Sequence, residues 1–262
     1  MELYEFTNLE FRERVAILTL SNPKKKNAIN FQMMDEMHNA LDQIEANKEI
    51  RSLLIWGGGD VFCVGMDITR GRTGEVVSPT DNVVARKLHT LYNRIEKLPM
   101  PVIAAVEGYA LGGGFELALA CDIRLFSENA KVGLPELNIG TIPCGGGTQR
   151  LPRIVGAGKA KELIFTCDRI DAAEAYNLGV ANKVVPSSDL FNEAVSLAER
   201  LAKKAPLAIG MAKHAVDAGL EVDLQTGLML ESRNSSLLRQ TADYTEGVAA
   251  FVQKREPEFQ GK

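Results

Sequence analysis

The sequence contains few residues that form disulfides or bind transition metals. Its 262 residues include only 4 cysteines and 3 histidines. Cys63, Cys121, Cys144 and Cys167 form no Cys-x-x-Cys pair, so neither a structural zinc site nor a disulfide framework is expected. Sparse cysteines of this kind are typical of reduced, buried thiols, which favours a reducing compartment. We therefore predict a protein that holds no metal.

An excess of positive charge and long apolar runs are also missing. The 30 Lys and Arg residues stand against 34 Asp and Glu residues, a net charge of −4, so no overall positive field attracts nucleic acid or an anionic membrane. The longest apolar runs, such as 102–106, are far shorter than the roughly 20 residues that span a bilayer. Glu2 and Glu5 occupy the region where a signal peptide would carry Lys or Arg. We expect a cytoplasmic protein without membrane association.

Strand-like and helical patterns alternate through the first half of the chain. Residues 14–20, 51–56 and 101–106 are short apolar runs that predict strands, and the last of them is apolar on both faces, as in the middle of a parallel sheet. Between the first two runs, the apolar spacing from Met34 to Ile44 predicts an amphipathic helix. This alternation predicts an α/β fold. The last third has helical spacing, which predicts a core over 1–200 and a helical extension over 201–262 within one functional domain.

A glycine triplet at 112–114 follows the apolar run 101–106 and opens an apolar helical stretch. The first amides of a helix have no partner inside the helix, so they stabilise negative charge that develops on a nearby oxygen. The same triplet equally fits a tight turn that needs glycine for close packing. The triplet forms neither the Gly-x-Gly-x-x-Gly pattern of dinucleotide-binding folds nor a P-loop.

Two glutamates occupy apolar surroundings. Glu116 lies in the segment FELALA, which predicts a sequestered carboxylate that is either paired with a cation or tuned for proton transfer. It follows Gly113 by three residues, so both share one helix face. Glu136 lies in LPELNIG, where a surface loop acid is the alternative. A strand over 122–126, a turn and a returning strand over 132–134 would bring Glu136 back towards Glu116. Two carboxylates in one pocket come to differ in proton affinity, so one can act as an acid and the other as a base.

Three segments together resemble the enoyl-CoA hydratases of the crotonase superfamily: GYALGGGFELALACD, LPELNIGTIPCGGGTQRLPRIVG and EGVAAFVQKREPEF. The resemblance implies a spiral of ββα units with a helical C-terminal trimerisation region, assembled as a hexamer of two trimers. It implies addition of water to a trans-2-enoyl-CoA to give a 3-hydroxyacyl-CoA, with coenzyme A as part of the substrate and no other cofactor. The family's two glutamates correspond to Glu116 and Glu136, with Glu136 the favoured donor of the α proton.

The resemblance also assigns backbone and binding positions. The two oxyanion-hole amides correspond to Met66 and Gly113. Positions along the acyl and pantetheine tunnel correspond to Asp67, Ile68 and Thr69. Contacts to the adenine and pantetheine of coenzyme A correspond to Lys26 and Ala28, and contacts to the CoA nucleotide, often across a subunit boundary, correspond to Phe251 and Lys254. Met66 is bulkier than the small residue usual there, and Cys144 replaces a small residue.

Two alternatives to a simple hydratase stay open. Met66 and the long loop at 69–81 are features that would suit an unusual cyclic or branched enoyl-CoA. The helical segment around 85–98 carries Arg86, Lys87, Arg94 and Lys97, and a few crotonase-like proteins bind RNA through a lysine-rich helix. Such a charge cluster is more often a solvated helix face, so we expect no nucleic-acid partner.

Overall fold

The computed structural model describes residues 4–69 and 82–262, which contain nine β-strands and ten α-helices. The strands are β1 Thr7–Arg12, β2 Val15–Leu20, β3 Ser52–Trp56, β4 Val102–Val106, β5 Tyr109–Leu111, β6 Ile123–Ser127, β7 Lys131–Gly133, β8 Ile170–Asp171 and β9 Lys183–Val185. The helices are α1 Phe31–Ala46, α2 Val83–Glu96, α3 Gly113–Leu119, α4 Gly147–Val155, α5 Ala157–Thr166, α6 Ala172–Asn177, α7 Leu190–Ala202, α8 Pro206–Gly219, α9 Leu224–Leu238 and α10 Ala242–Gln253. The predicted loop at 69–81 lies, apart from Thr69, outside the described residues.

The larger sheet has the strand order β1-β2-β3-β4-β6-β9 within the described residues. β1 pairs with β2 antiparallel, and the other neighbours are parallel. The predicted strands over 14–20, 51–56 and 101–106 are confirmed as β2, β3 and β4. All five residues of β4 are buried between β3 and β6, because helices cover both faces of the sheet there. β1 and β9, at the two edges, were not predicted.

Helix α1 follows the predicted apolar stripe. Asn30 caps its first turn by accepting a hydrogen bond of 2.8 Å from the amide of Met33. The stripe from Met34 to Ile44 is buried against one face of the sheet. On the other face, α7 contributes Leu190, Ala194 and Ala198 to a second apolar cluster with β2, β3 and β4. The α/β fold class is confirmed.

A smaller sheet, with the order β5-β7-β8, brings together the segments that carry the two glutamates. β7 pairs in parallel with β5. The prediction of a returning strand over 132–134 named no pairing partner, and the structure shows that this strand, β7, belongs to the smaller sheet. The Gly112 amide donates a 2.9 Å hydrogen bond to the Gly133 carbonyl at the end of this pairing. Helix α3 and the 3₁₀ turn Glu136–Ile139 thus start side by side.

Helices α8 and α9 contain no buried residue. Exposed apolar side chains in this region include Val216, Leu220, Leu224, Phe251 and Val252. The helical C-terminal region is confirmed. The predicted division at 200/201 falls in the last turn of α7 and stays a prediction. No helix among the described residues is both long and apolar enough to cross a membrane.

Candidate active site

A cavity of about 730 Å³ opens where α3, the 3₁₀ turn Glu136–Ile139 and the segment after Phe62 meet. Its lining includes residues predicted for the site: Met66, Asp67, Ile68, Gly113, Glu116 and Glu136. These residues come from three separate parts of the sequence. The small sheet brings two of the parts together, and a parallel bridge from Cys63 to Ala110 attaches the third.

The Glu116 carboxylate is held by backbone amides. Its side chain lies on α3 and the residue is 1% exposed. Oε1 accepts hydrogen bonds of 2.8 Å from the amides of Gly145 and Gly147. Burial raises the pKa of Glu116 above its ordinary value, while these amides and the charge of Arg150 act in the opposite direction. The two amide hydrogen bonds favour the ionised form of Glu116 and oppose the effect of burial.

The Glu136 carboxyl differs from Glu116 in its hydrogen bonds. Its Oε2 is buried and has no hydrogen-bond partner among the described residues. Burial first, and the nearby charge of Glu116 second, raise the pKa of Glu136 to about 7. Gly112 has a φ of 51°, and a Cβ there would lie 3.0 Å from Glu136 Oε1. Glycine thus lets this carboxyl lie against the start of α3. Glu136 is not a solvated loop acid.

The amides of Met66 and Gly113 lie close together. The Gly65 carbonyl accepts from Ile29, and the Asp67 amide donates to Ile29, so the intervening Met66 amide faces away from that pairing and towards the cavity. A Cβ on Gly113 would lie 3.6 Å from the Met66 nitrogen. Neither amide donates a hydrogen bond to another residue in the described ranges. Two adjacent unpaired donors of this kind match an oxyanion hole.

The rest of the cavity wall is mostly apolar. Side chains from several elements contribute: Phe31, Val84, Leu88, Ile139 and Ile142. Met66 packs partly against the core and its side chain is part of the wall. Cys144 also lines the cavity, and burial raises the pKa of its thiol to about 11, so this thiol is not ionised near neutral pH. Such a wall fits an apolar group next to the two carboxyls.

The coenzyme A positions inferred from the resemblance lie in two different places. Asp67 and Ile68 line the cavity, and Thr69 contacts Asp67 with its hydroxyl at 2.6 Å. Lys26 is exposed and Ala28 is buried nearby, and neither lines the cavity. Phe251, which is 85% exposed, and Lys254 lie at the end of α10 and contribute nothing to the cavity of this chain.

Sequence reasoning missed Lys25 and the loop at 145–147. Lys25 Nζ lies 2.6 Å from Asp67 Oδ2, and this hydrogen bond, with a second from Thr69, holds the pKa of Asp67 at about 2. The third glycine triplet, at 145–147, was visible as a pattern but received no specific role. Its position at the start of a helix, whose first amides have no partner inside the helix, is the signal that points to anion binding.

The basic face of α2 is partly neutralised. Lys87 pairs with Asp35 at 3.2 Å, and Arg94 pairs with Asp42 at 2.6 Å and with Glu45. These acids come from α1 and reduce the positive field that RNA would need. Among residues 4–69 and 82–262, no group of three or more His, Cys, Asp or Glu is arranged to hold a metal ion.

Comparisons with known proteins agree with this architecture. A family model described as enoyl-CoA hydratase/isomerase matches residues 10–262. The chain is 40% identical to the short-chain-enoyl-CoA hydratase of Clostridium acetobutylicum, with 95% of each chain covered. It is 39% identical to the crotonyl-CoA hydratase of Syntrophomonas wolfei, with 99% of each covered. The crystal structure of an enoyl-CoA hydratase from Bacillus anthracis has a TM-score of 0.93 and 38% identity, covering 98% of this chain and 100% of that one. The resemblance inferred from the sequence is confirmed, and the chain belongs to the enoyl-CoA hydratase/isomerase family.

Proposed function

We propose that this protein is a hydro-lyase that adds water across the 2,3 double bond of a trans-2-enoyl-CoA thioester to give a 3-hydroxyacyl-CoA. The family assignment supports this reaction, and so do the two relatives named above, a short-chain-enoyl-CoA hydratase and a crotonyl-CoA hydratase. The observation that carries the proposal is that Glu116 and Glu136 line one cavity together with Met66 and Gly113, whose amides donate to no other residue in the part of the chain that the structure describes.

The amides act on the thioester carbonyl. When a nucleophile attacks C3 of the enoyl group, negative charge moves through C2 to the thioester oxygen and forms an enolate. Hydrogen bonds from Met66 and Gly113 to that oxygen stabilise the enolate more than the uncharged substrate, which lowers the barrier. The position of Gly113 at the first turn of α3 adds the favourable potential of a helix N-terminus.

The carboxyls move the protons. Glu116, ionised because amides surround it, takes a proton from water while the water oxygen bonds to C3. Glu136, whose pKa is raised by burial and by the charge of Glu116, gives its proton to C2. The product gains OH at C3 and H at C2. Glu116 then holds a proton that Glu136 has lost, and exchange with water restores the starting state. No metal or redox cofactor takes part in this scheme.

Coenzyme A binding is assigned to the cavity mouth. Asp67, Ile68 and Thr69 lie along the expected path of the acyl and pantetheine arm, with Lys26 and Ala28 beyond them for the pantetheine and adenine. Lys25 brings a cation to the same mouth. Phe251 and Lys254 reach a CoA nucleotide only if they belong to a neighbouring subunit, because they lie outside the cavity of their own chain.

A homo-oligomer is therefore part of the proposal, with a hexamer built from two trimers as its form. The absence of buried residues in α8 and α9, together with the exposed Leu220, Leu224 and Phe251, supports an interface there. Light scattering of the purified protein tests it, with a mass of six 28.6 kDa chains expected. A monomer would contradict it. A cytoplasmic location and the absence of a nucleic-acid partner stay predictions, which fractionation and RNA-binding assays check.

Hydration of crotonyl-CoA in D₂O tests the activity. Loss of the enoyl-thioester absorbance is expected, with one deuterium at C2 and a hydroxyl at C3 of the product. The same assay with longer and branched enoyl-CoAs defines the acyl preference. Failure to consume any member of the panel would contradict the proposed function.

A further inference from the structure

Arg150 joins helix α2 to the loop that holds Glu116. Its guanidinium forms a bidentate ion pair with Glu96, with Nε at 3.1 Å from Oε1 and Nη2 at 2.7 Å from Oε2. Nη2 also donates to Asn93 Oδ1 at 2.7 Å. Nη1 donates to the Gly145 carbonyl at 3.1 Å. One side chain thus fixes the C-terminal half of α2 to the first residue of the loop at 145–147.

The loop is built to let this guanidinium approach. Gly146 has a φ of 110°, and a Cβ on it would overlap Arg150 Nη1. The Arg150 side chain is 12% exposed, so water competes little for its hydrogen bonds. A planar fork that donates to a carboxylate, an amide oxygen and a carbonyl is an arrangement that lysine cannot reproduce.

The residues that Arg150 orders are those that hold Glu116. Gly145 presents its carbonyl to Arg150 and its amide to Glu116 Oε1. Gly147, the first residue of α4, donates the second amide. Displacement of the Gly145 peptide would therefore disturb the hydrogen bonds to Glu116. Arg150 itself lies outside the cavity lining.

We propose that Arg150 is a positioning residue for the proposed hydration, which holds the loop at 145–147 so that two amides keep the Glu116 carboxylate ionised and oriented towards the water it activates. The inference rests on the proposed function. Arg150 acts through the loop and does not touch the substrate. The positive charge of Arg150 acts in the same direction, because it lowers the pKa of Glu116.

The titratable groups around Glu116 come from four elements. They are Glu136 in the 3₁₀ turn, Cys144 before the loop, Tyr92 on α2 and Arg150 on α4. Tyr92 and Cys144 have pKa values raised by burial, so neither ionises near neutral pH. A change in the titration of Glu116 after replacement of Arg150 therefore reports on the loop and on the lost charge.

The test compares Arg150→Met with Arg153→Met. Arg153 lies on the same helix, pairs with Glu221 at the surface and does not contact the loop. Arg150→Met is expected to lower kcat for crotonyl-CoA by about 10- to 100-fold, the order expected from a small misplacement of a reacting group, while KM changes little. Arg153→Met is expected to stay within about twofold. Equal kcat values in the two variants would overturn the proposal.

Two more measurements separate this role from simple stabilisation of the fold. Glu96→Gln keeps the Arg150 charge but weakens its anchor, so a smaller fall in kcat is expected with native circular dichroism. The pKa of Glu116, from ¹³C-carboxyl NMR assigned with Glu116→Gln, is expected to rise in Arg150→Met and not in Arg153→Met. An unchanged pKa would overturn the inference. If wild type hydrates no enoyl-CoA but this pKa rises, the proposed function fails, while the control of Glu116 ionisation by Arg150 is retained as a property of the fold.

Discussion

Glu116 and Glu136 line one cavity in opposite hydrogen-bonding conditions. Glu116 Oε1 accepts two amide hydrogen bonds of 2.8 Å, whereas Glu136 Oε2 is buried without a partner among the described residues. Amide donors favour an ionised carboxylate, whereas burial without a hydrogen-bond partner favours a protonated carboxyl. The same fold therefore gives two chemically identical side chains different environments, which supports the proposed roles of Glu116 as base and Glu136 as acid.

The pH dependence of kcat/KM follows from this separation. The pair is active when it holds one proton, on Glu136. Because the pKa of Glu136 is raised to about 7, activity is expected to fall as the pH rises through about 7, where Glu136 loses the proton that C2 needs. It falls again at low pH, where Glu116 becomes protonated. Initial rates with crotonyl-CoA across this range measure both limbs, and a flat profile above neutrality would contradict the assignment.

Replacement of Glu136 is expected to stabilise the fold. The folded-state pKa of Glu136 is raised from 4.5 to about 7, so its effect on stability is most favourable below 4.5 and is lost as the pH rises through 7. Glu136→Gln removes a partly buried charge, whose Oε2 has no hydrogen-bond partner among the described residues, and is expected to raise the free energy of unfolding by about 1–3 kcal/mol at pH ~8. The gain is expected to be smaller near pH ~5. Urea unfolding at both pH values measures it, and a loss of stability at the higher pH would contradict the account.

A methyl group at Gly145 is expected to displace Glu116. A Cβ there would lie 2.5 Å from Glu116 Oε2 and 2.9 Å from a Tyr92 ring carbon. Gly145→Ala is expected to lower kcat by about 10- to 100-fold through misplacement of the carboxylate. The matched control is Gly158→Ala on α5, where a Cβ would meet open space. That change is expected to leave kcat unchanged and to stabilise the helix by up to about 1 kcal/mol. Steady-state kinetics of both variants measure the change in kcat, and thermal melts measure the change in stability.

The Met66 side chain is expected to set acyl preference without affecting the oxyanion amide. It lines the cavity, while its amide belongs to the backbone. Met66→Ala makes the cavity wider at this wall and keeps the backbone amide as a hydrogen-bond donor. The ratio of kcat/KM for a branched or six-carbon enoyl-CoA to that for crotonyl-CoA is expected to rise by about tenfold, the order of discrimination that a hydrophobic pocket supplies. An equal loss for all substrates would indicate that the amide had moved instead.

Local patterns predicted the parts of this molecule that local physics determines. The buried stripe of α1 follows helical spacing, and the burial of Glu116 follows from its apolar neighbours in α3. The pairing of β5 with β7 is non-local, and nothing in the spacing from 122 to 134 distinguishes it from a return along β6. Edge strands such as β1, which is largely exposed, have no apolar run to reveal them.

Parts of the site could not be predicted from the sequence, because they also depend on non-local contacts. The amide donors to Glu116 lie 29 and 31 residues further along the chain, so only the folded structure relates them to Glu116. Among the adjacent lysines, Lys26 adopts a left-handed conformation with a φ of 51°, while Lys25 reaches Asp67. A run of three lysines does not indicate which of them reaches Asp67.

In the proposed reaction, both carboxyls act directly in the addition of water. The most direct measurement is kcat for crotonyl-CoA with Glu116→Gln and Glu136→Gln, alongside the Kd of each variant for a saturated acyl-CoA. Gln keeps the size of the side chain but neither accepts nor delivers a proton at neutral pH. The account predicts that each variant loses about 100- to 10,000-fold in kcat with little change in Kd. Turnover close to wild type in either variant would contradict it.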